Sequence, residues 1–308
     1  MSLPTSNVCF VLIHNHKFER NISKIEAIYE GRFSHLFHLI PFYQGVKPNV
    51  IRVDETSHCF QGFFAQGKAT YARTRADYYI FGGDDLLLNP SLNEGNIVEA
   101  LGLKSGTGYI KTLESLSNAN LLWPSFADAL FALGRGNGAN WESELPSFDE
   151  AAAMFEKCSL PVGRLRFGHL LRGIKPWRFV LLLYYLVTRL QKKAKRPQTD
   201  IFGFPYPLAF SYSDFLVVPG DALDAFCHYC GVFAAAGLFA EIAIPTALVL
   251  SCQSIRLESE TRWQGLEVWA KDEVDAMEER NQLSLATLFE SFPDNQLYVH
   301  PVKLSRWS

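Results

Sequence analysis

From Asn7 to Pro90, short apolar runs alternate with longer stretches whose apolar residues recur at helical spacing. Asn7 to Ile13 has the length of a strand, and Ile22, Ile25, Tyr29 and Phe33 then fall on one face of a helix. The pattern Ser23-x-x-Glu26 reads as a capping box at the start of that helix. Leu36 to Phe42 and Asn49 to Val53 predict two further strands, Gln61 to Arg73 a helix, and Tyr78 to Phe81 a fourth, aromatic strand. Strands that alternate with helices predict a parallel sheet, since a parallel pair needs a crossover connection.

Beyond Pro90 the pattern loosens. Leu92 to Leu103 predicts a helix, Ser105 to Gly108 a turn, and Ile110 to Leu122 is polar and without a firm assignment. Gly134-Arg-Gly-Asn-Gly138 forms a glycine-rich loop, but it follows a helical pattern instead of a strand, which argues against a phosphate cradle. Ser213 to Pro219 returns to strand character and Ala222 to Ala240 to a helix rich in small and aromatic residues. Ile244 to Leu250 fits an apolar strand or a buried helix.

A chain of 308 residues, 48% hydrophobic and 20% charged, is globular in composition and has room for one large domain or two modest ones. The N-terminus lacks the features of a signal peptide, which predicts a cytoplasmic protein. Six cysteines spread through apolar segments fit reduced, buried thiols. Cys227-His-Tyr-Cys230 is the one CxxC, and without a second pair it reads as an apolar helix face.

Charge changes the picture more. The net charge of −3 hides a segment, Lys157 to Thr199, with eleven Lys or Arg residues and no Asp or Glu. Such a patch predicts an anionic partner. Trp177, Phe179, Tyr184 and Tyr185 beside Arg178, Arg189 and Lys192 suit an interfacial amphipathic helix on an anionic membrane surface, or alternatively a solvated helix packed on the core. The apolar stretch Phe179 to Val187 is too short to span a bilayer, so association would be peripheral, on the inner membrane face. Nucleic acid is not expected, because no binding motif accompanies the charge.

Candidate chemistry concentrates where Tyr78 to Phe81 runs into Gly82-Gly83 and then Asp84-Asp85. Paired carboxylates at the carboxyl edge of an α/β sheet supply the hard oxygen ligands of Mg2+ or Mn2+; the bland alternative is a turn before Leu-Leu-Leu-Asn-Pro. A metal needs another ligand, for which His300, after Leu297-Tyr-Val299, is the candidate. Lys303 is then placed to meet the same phosphates. Glu241 among apolar residues and Asp214 at the start of an apolar strand are the candidate catalytic carboxylates, or else a helix end and a turn cap.

Strand-helix units, an apolar strand ending in a two-Asp motif, and the tail His300-Pro-Val-Lys-Leu-Ser-Arg-Trp307 together resemble metal-dependent glycosyltransferases of the GT-A fold. In some retaining members a C-terminal His binds the metal and a Lys the diphosphate. The likeness covers residues 7 to 90 and the tail. Asp84-Asp85 lacks the family's intervening residue, and the tail lacks its glycine between His and Lys. The resemblance implies a mixed, mostly parallel GT-A-like sheet flanked by helices, with an inserted helical basic region. It implies a nucleotide-sugar-binding half, 1–104, and an acceptor-side half, 105–308, containing the basic insertion 157–199. It also implies Mn2+ or Mg2+, a nucleotide-sugar donor with UDP-sugar favoured, and a glycan or lipid-linked acceptor in bacterial surface polysaccharide or glycolipid synthesis. His14, Asn15, His16, Lys17 and Asp54, at strand ends, become candidates for donor contacts.

Two rivals remain. A nucleotidyltransferase normally carries a glycine-rich basic loop after its first strand, where this chain has His14-Asn-His-Lys-Phe-Glu-Arg20. A non-catalytic membrane-docking or polysaccharide-assembly protein on a transferase scaffold would bind no nucleotide.

Overall fold

The computed structural model describes residues 7–15, 19–118, 141–163 and 206–308, with Val180, Leu183, Val187 and Leu190 as isolated helical positions. The expectations for His16 and Lys17, the Gly134–Gly138 loop and most of the basic segment lie outside the described residues.

In chain order the elements begin β1 (Val8–Ile13), α1 (Glu19–Tyr29), β2 (His35–Pro41), β3 (Val50–Val53), α2 (Phe60–Tyr71) and β4 (Tyr78–Gly83). There follow β5 (Leu87–Leu88), α3 (Ile97–Ala100), β6 (Thr107–Ile110), β7 (Glu114–Ser115), α4 (Phe148–Lys157), β8 (Ala209–Phe210) and β9 (Phe215–Pro219). The last part comprises α5 (Leu223–Ala236), α6 (Ala240–Ser251), β10 (Ser254–Leu257), β11 (Gln264–Glu267), α7 (Lys271–Arg280), α8 (Leu285–Glu290) and β12 (Gln296–His300).

Seven strands form one sheet in the order β10-β6-β9-β4-β1-β2-β3. β4, β1, β2 and β3 are mutually parallel, β6 pairs in parallel with β10, and β9 runs antiparallel to both β4 and β6. The sheet is therefore mixed and mostly parallel. Its central strands are apolar at every position because both faces are covered. Along β1, Cys9, Val11 and Ile13 join a core shared with α2, α5 and α6, while Val8, Phe10 and Leu12 join a second core containing β5, β12 and the tail. A three-stranded sheet, β11-β12-β5, packs in that second layer.

Several expectations are corrected. Ser23 and Glu26 lie inside α1, so they form no capping box at its start; Glu26 instead accepts from Lys47 and Asn49. Gly82 and Gly83 remain in β4, opposite Leu12 and Ile13, and do not lead the chain out of the sheet. The Leu92–Leu103 helix shrinks to one turn, α3, since the asparagines at 93 and 96 bind neighbouring backbone and close turns. The turn expected over Ser105 to Gly108 is confined to Ser105 and Gly106, and Thr107 and Gly108 already belong to the buried strand β6. Of the two readings for Ile244 to Leu250, the buried helix holds: the stretch belongs to α6, which has no polar face because it is buried nearly throughout.

Cys227 and Cys230 lie buried in α5, and burial raises both thiols well above their ordinary pKa, so they stay protonated. Among the described residues no helix is long and apolar enough to cross a membrane.

Candidate functional site

The carboxyl ends of β1 and β4 meet the C-terminal strand at one place, and backbone hydrogen bonds bring them there. Asp84 N–H donates to Ile13 O at 3.0 Å, and Gly83 N–H to Asp214 O at 3.1 Å. Val302 N–H donates to Asp85 O at 2.6 Å, clamping the tail onto the turn after β4. Residues separated by more than two hundred positions in the chain thus converge, and His300 Nε2 comes to lie 3.2 Å from Asp85 Oδ1. A Cβ at Gly83 would stand 2.9 Å from Asp85 Oδ1, so a larger residue there would push that carboxylate aside.

The other wall depends on a proline. Pro245 lies inside α6 and has no N–H to give the carbonyl of Glu241 one turn earlier. Ser211 N–H takes that carbonyl instead, at 3.1 Å, and ties the loop carrying Asp214 to the helix carrying Glu241. The result is a cavity of about 290 Å³. Asn15, Asp84, Asp85, Asp214, Glu241, His300 and Lys303 all line it.

The two adjacent aspartates differ. Asp84 is buried, with Oδ1 accepting from Asn15 N–H at 3.3 Å and Oδ2 3.3 Å from His14 Nδ1. His14 Nε2 in turn meets His38 Nδ1 at 3.0 Å. Burial, followed by the neighbouring His14, drives the pKa of His38 down to about 3, so that ring is neutral. Asp84 is therefore anchored from beneath, whereas Asp85 shows about a third of its side chain to the cavity.

Among the cavity's ionisable groups, burial opposes charge on His300, but the hydrogen bond and charge of Asp85, joined by Asp214 and Glu267, outweigh it and raise its pKa. Burial also raises Asp214 to about 6, against the opposing pull of His300. Glu241 goes higher, to about 8, through burial and the charges of Asp214 and Glu267. Glu267 is itself held by Lys111 at 3.0 Å and by the Tyr298 hydroxyl at 2.8 Å.

Because folding lifts the Glu241 pKa, the native state holds a proton that the unfolded chain has lost between pH 4.5 and about 8. Stability falls as pH rises through that window. Glu241→Gln is therefore expected to stabilise the protein at pH 8.5, by on the order of 1–2 kcal/mol after solvent screening, and to have little effect at pH 4.5. Urea unfolding of both proteins at the two pH values checks this; equal stability at pH 8.5 would contradict it.

The chain matches no family model, no curated protein and no solved structure. What it can do must be read from the cavity itself.

Other expected site residues lie elsewhere. His14 is fully buried outside the cavity lining and meets Asp84 and His38, so it supports the site from beneath. Asp54 is exposed, pairs with Arg52 at 2.7 Å and is absent from the cavity wall. Lys17 lies outside the described residues. Ser57, Phe60, Phe239 and Trp269 also line the cavity and were not expected. None of the four carried a sequence signal, since each is a single residue outside any motif.

No group of three or more His, Cys, Asp or Glu among the described residues is arranged to hold a metal. Asp85 and His300 nevertheless offer two donors 3.2 Å apart. That is close to the separation of neighbouring ligands on an octahedral ion with bonds of about 2.1 Å. A cation bound by one or two side chains and completed by water and substrate phosphates is the usual form of a Mg2+ site. The donor set fits such a shared ion.

Proposed function

We propose that the protein transfers a glycosyl unit from a nucleoside-diphosphate sugar, with a UDP-sugar favoured, to a hydroxyl of a glycan or lipid-linked acceptor. The observation that carries this reading is the convergence of Asp85, His300 and Lys303 in one cavity with Asp214 and Glu241. It extends the mixed sheet, which is compatible with a Rossmann-like fold, to a GT-A-like one.

Asp85 and His300 would hold Mn2+ or Mg2+, which supplies positive charge to the departing diphosphate. Lys303, exposed at the cavity, adds an ammonium to the same phosphates. The proton that His300 holds against Asp85 must leave when the ion binds, so metal affinity weakens as pH falls. Asp214, ionised at neutral pH, accepts the acceptor's hydroxyl proton. Glu241, protonated at neutral pH, donates a hydrogen bond to a sugar oxygen.

Thermal stability followed across nucleoside diphosphates and their sugars, with and without Mn2+, tests the reading. One nucleotide should stabilise the protein in a metal-dependent way. No stabilisation by any of them would favour a docking role.

An anionic membrane is the proposed site of the acceptor. Val180, Leu183, Val187 and Leu190 are all exposed and, at spacings of three and four, share one helix face. They lie within the acid-free basic segment. Phosphatidylglycerol vesicles should therefore sediment the protein, phosphatidylcholine vesicles should not, and Leu183→Asp with Val187→Asp should abolish binding. Equal sedimentation with both lipids would contradict electrostatic docking.

A further inference from the structure

One aromatic side chain at the cavity, Trp269, and the ring stacked against it, Tyr212, have no role in the transfer just described. Trp269 lines it yet is 58% exposed, and Tyr212 is 45% exposed. Their ring centroids are 6.2 Å apart with planes 29° from parallel. Trp269 also meets the His300 ring at 5.2 Å, nearly at right angles. The two rings come from separate segments, Tyr212 between β8 and β9 and Trp269 just after β11.

Both positions are fixed by backbone bonds that also build the site. Val268 N–H, one residue before Trp269, donates to His300 O at 2.8 Å. Tyr212 follows Ser211, whose N–H is bound to Glu241 O and whose hydroxyl donates to Tyr212 O at 2.9 Å. An indole more than half open to water at a cavity rim is prepared for a flat, apolar ligand surface.

The neighbouring polar groups narrow the ligand class. Asp85, Asp214 and Glu241 share the cavity with Trp269. A pyranose ring has a C–H face that stacks on an aromatic ring and a rim of hydroxyls that donate to carboxylates. A nucleobase would stack equally well, but its carbonyl oxygens gain nothing from a carboxylate such as Asp214, whereas sugar hydroxyls donate to it.

We propose that Trp269 and Tyr212 form a carbohydrate subsite that stacks a pyranose ring of the acceptor, with its hydroxyls directed to Asp214 and Glu241. This rests on the transferase reading for the word acceptor, while the subsite itself is testable without it.

The experiment measures binding of methyl glucoside, methyl galactoside, methyl mannoside, lactose and maltose by saturation-transfer NMR, with UDP and Mn2+ titrated separately by calorimetry. At least one saccharide should bind, Trp269→Ala should weaken it about tenfold, and Trp269→Phe should restore most of the affinity. UDP affinity should be the same in wild type and Trp269→Ala. If saccharides bind as expected and no nucleotide does, the subsite is supported and the transferase reading falls. The proposal is overturned if no saccharide binds, if Trp269→Ala binds them as wild type does, or if Trp269→Ala loses UDP instead.

Discussion

Replacing Asp85 with alanine is expected to lower the transfer rate by about a thousandfold, the scale of losing one principal stabiliser of the leaving group's charge. Stability should fall by about 1 kcal/mol, because the Asp85 side chain is partly solvated but its removal takes the acceptor from the buried His300 Nε2. The backbone carbonyl of Asp85, which holds Val302, survives the substitution. Rate measured with the donor found by thermal shift, together with urea unfolding, checks both halves. A variant with near-normal rate would remove Asp85 from the chemistry.

The adjacent aspartate should behave in the opposite way. Asp84→Ala takes the acceptor from Asn15 N–H and removes the carboxylate that faces the buried His14 ring at 3.3 Å. One partly buried hydrogen bond and the carboxylate beside a buried ring are lost, so a loss of about 1–2 kcal/mol in unfolding free energy is expected. His38 has no charge to compensate, since it is neutral in the fold. Activity should fall as a consequence of the displaced turn. A stability equal to wild type, with activity lost, would instead place Asp84 among the groups that touch the ligand.

These contrasting roles were not legible from the sequence, where Asp84 and Asp85 are the same residue side by side. Their difference arises because β4 ends at Gly83 and the next two side chains leave the backbone in different directions, one toward His14 and one toward His300. β1 and β4 were legible because each is an apolar run buried on both faces, and β2 and β3 because buried aliphatic residues surround their few polar positions, such as His38 and the exposed Arg52. The expected run Ser213 to Pro219 contains β9, but periodicity carries no direction, so its antiparallel pairing came only from the structure.

The stretch from Ser254 to Phe292 gave no reading, and it holds two strands and two helices. β10 is only half-buried and β11 alternates exposed and half-buried positions over four residues, too short a pattern to stand out. Trp269 follows β11, which is why the proposed carbohydrate subsite was invisible. In contrast, His300 and Lys303 were found from the apolar run before them, and β12 pairing with β5 carries them to the turn after β4.

The central claim is that Asp85 and His300 act as one unit on a metal diphosphate. Calorimetric titration of UDP in the presence of Mn2+ tests it directly, using wild type, Asp85→Ala, His300→Ala and the double variant. Each single substitution should weaken binding by about a hundredfold, and the double variant should be hardly weaker than either, because the second ligand is of little use once the first is gone. Losses that simply add, or singles that bind as wild type does, would contradict the shared site.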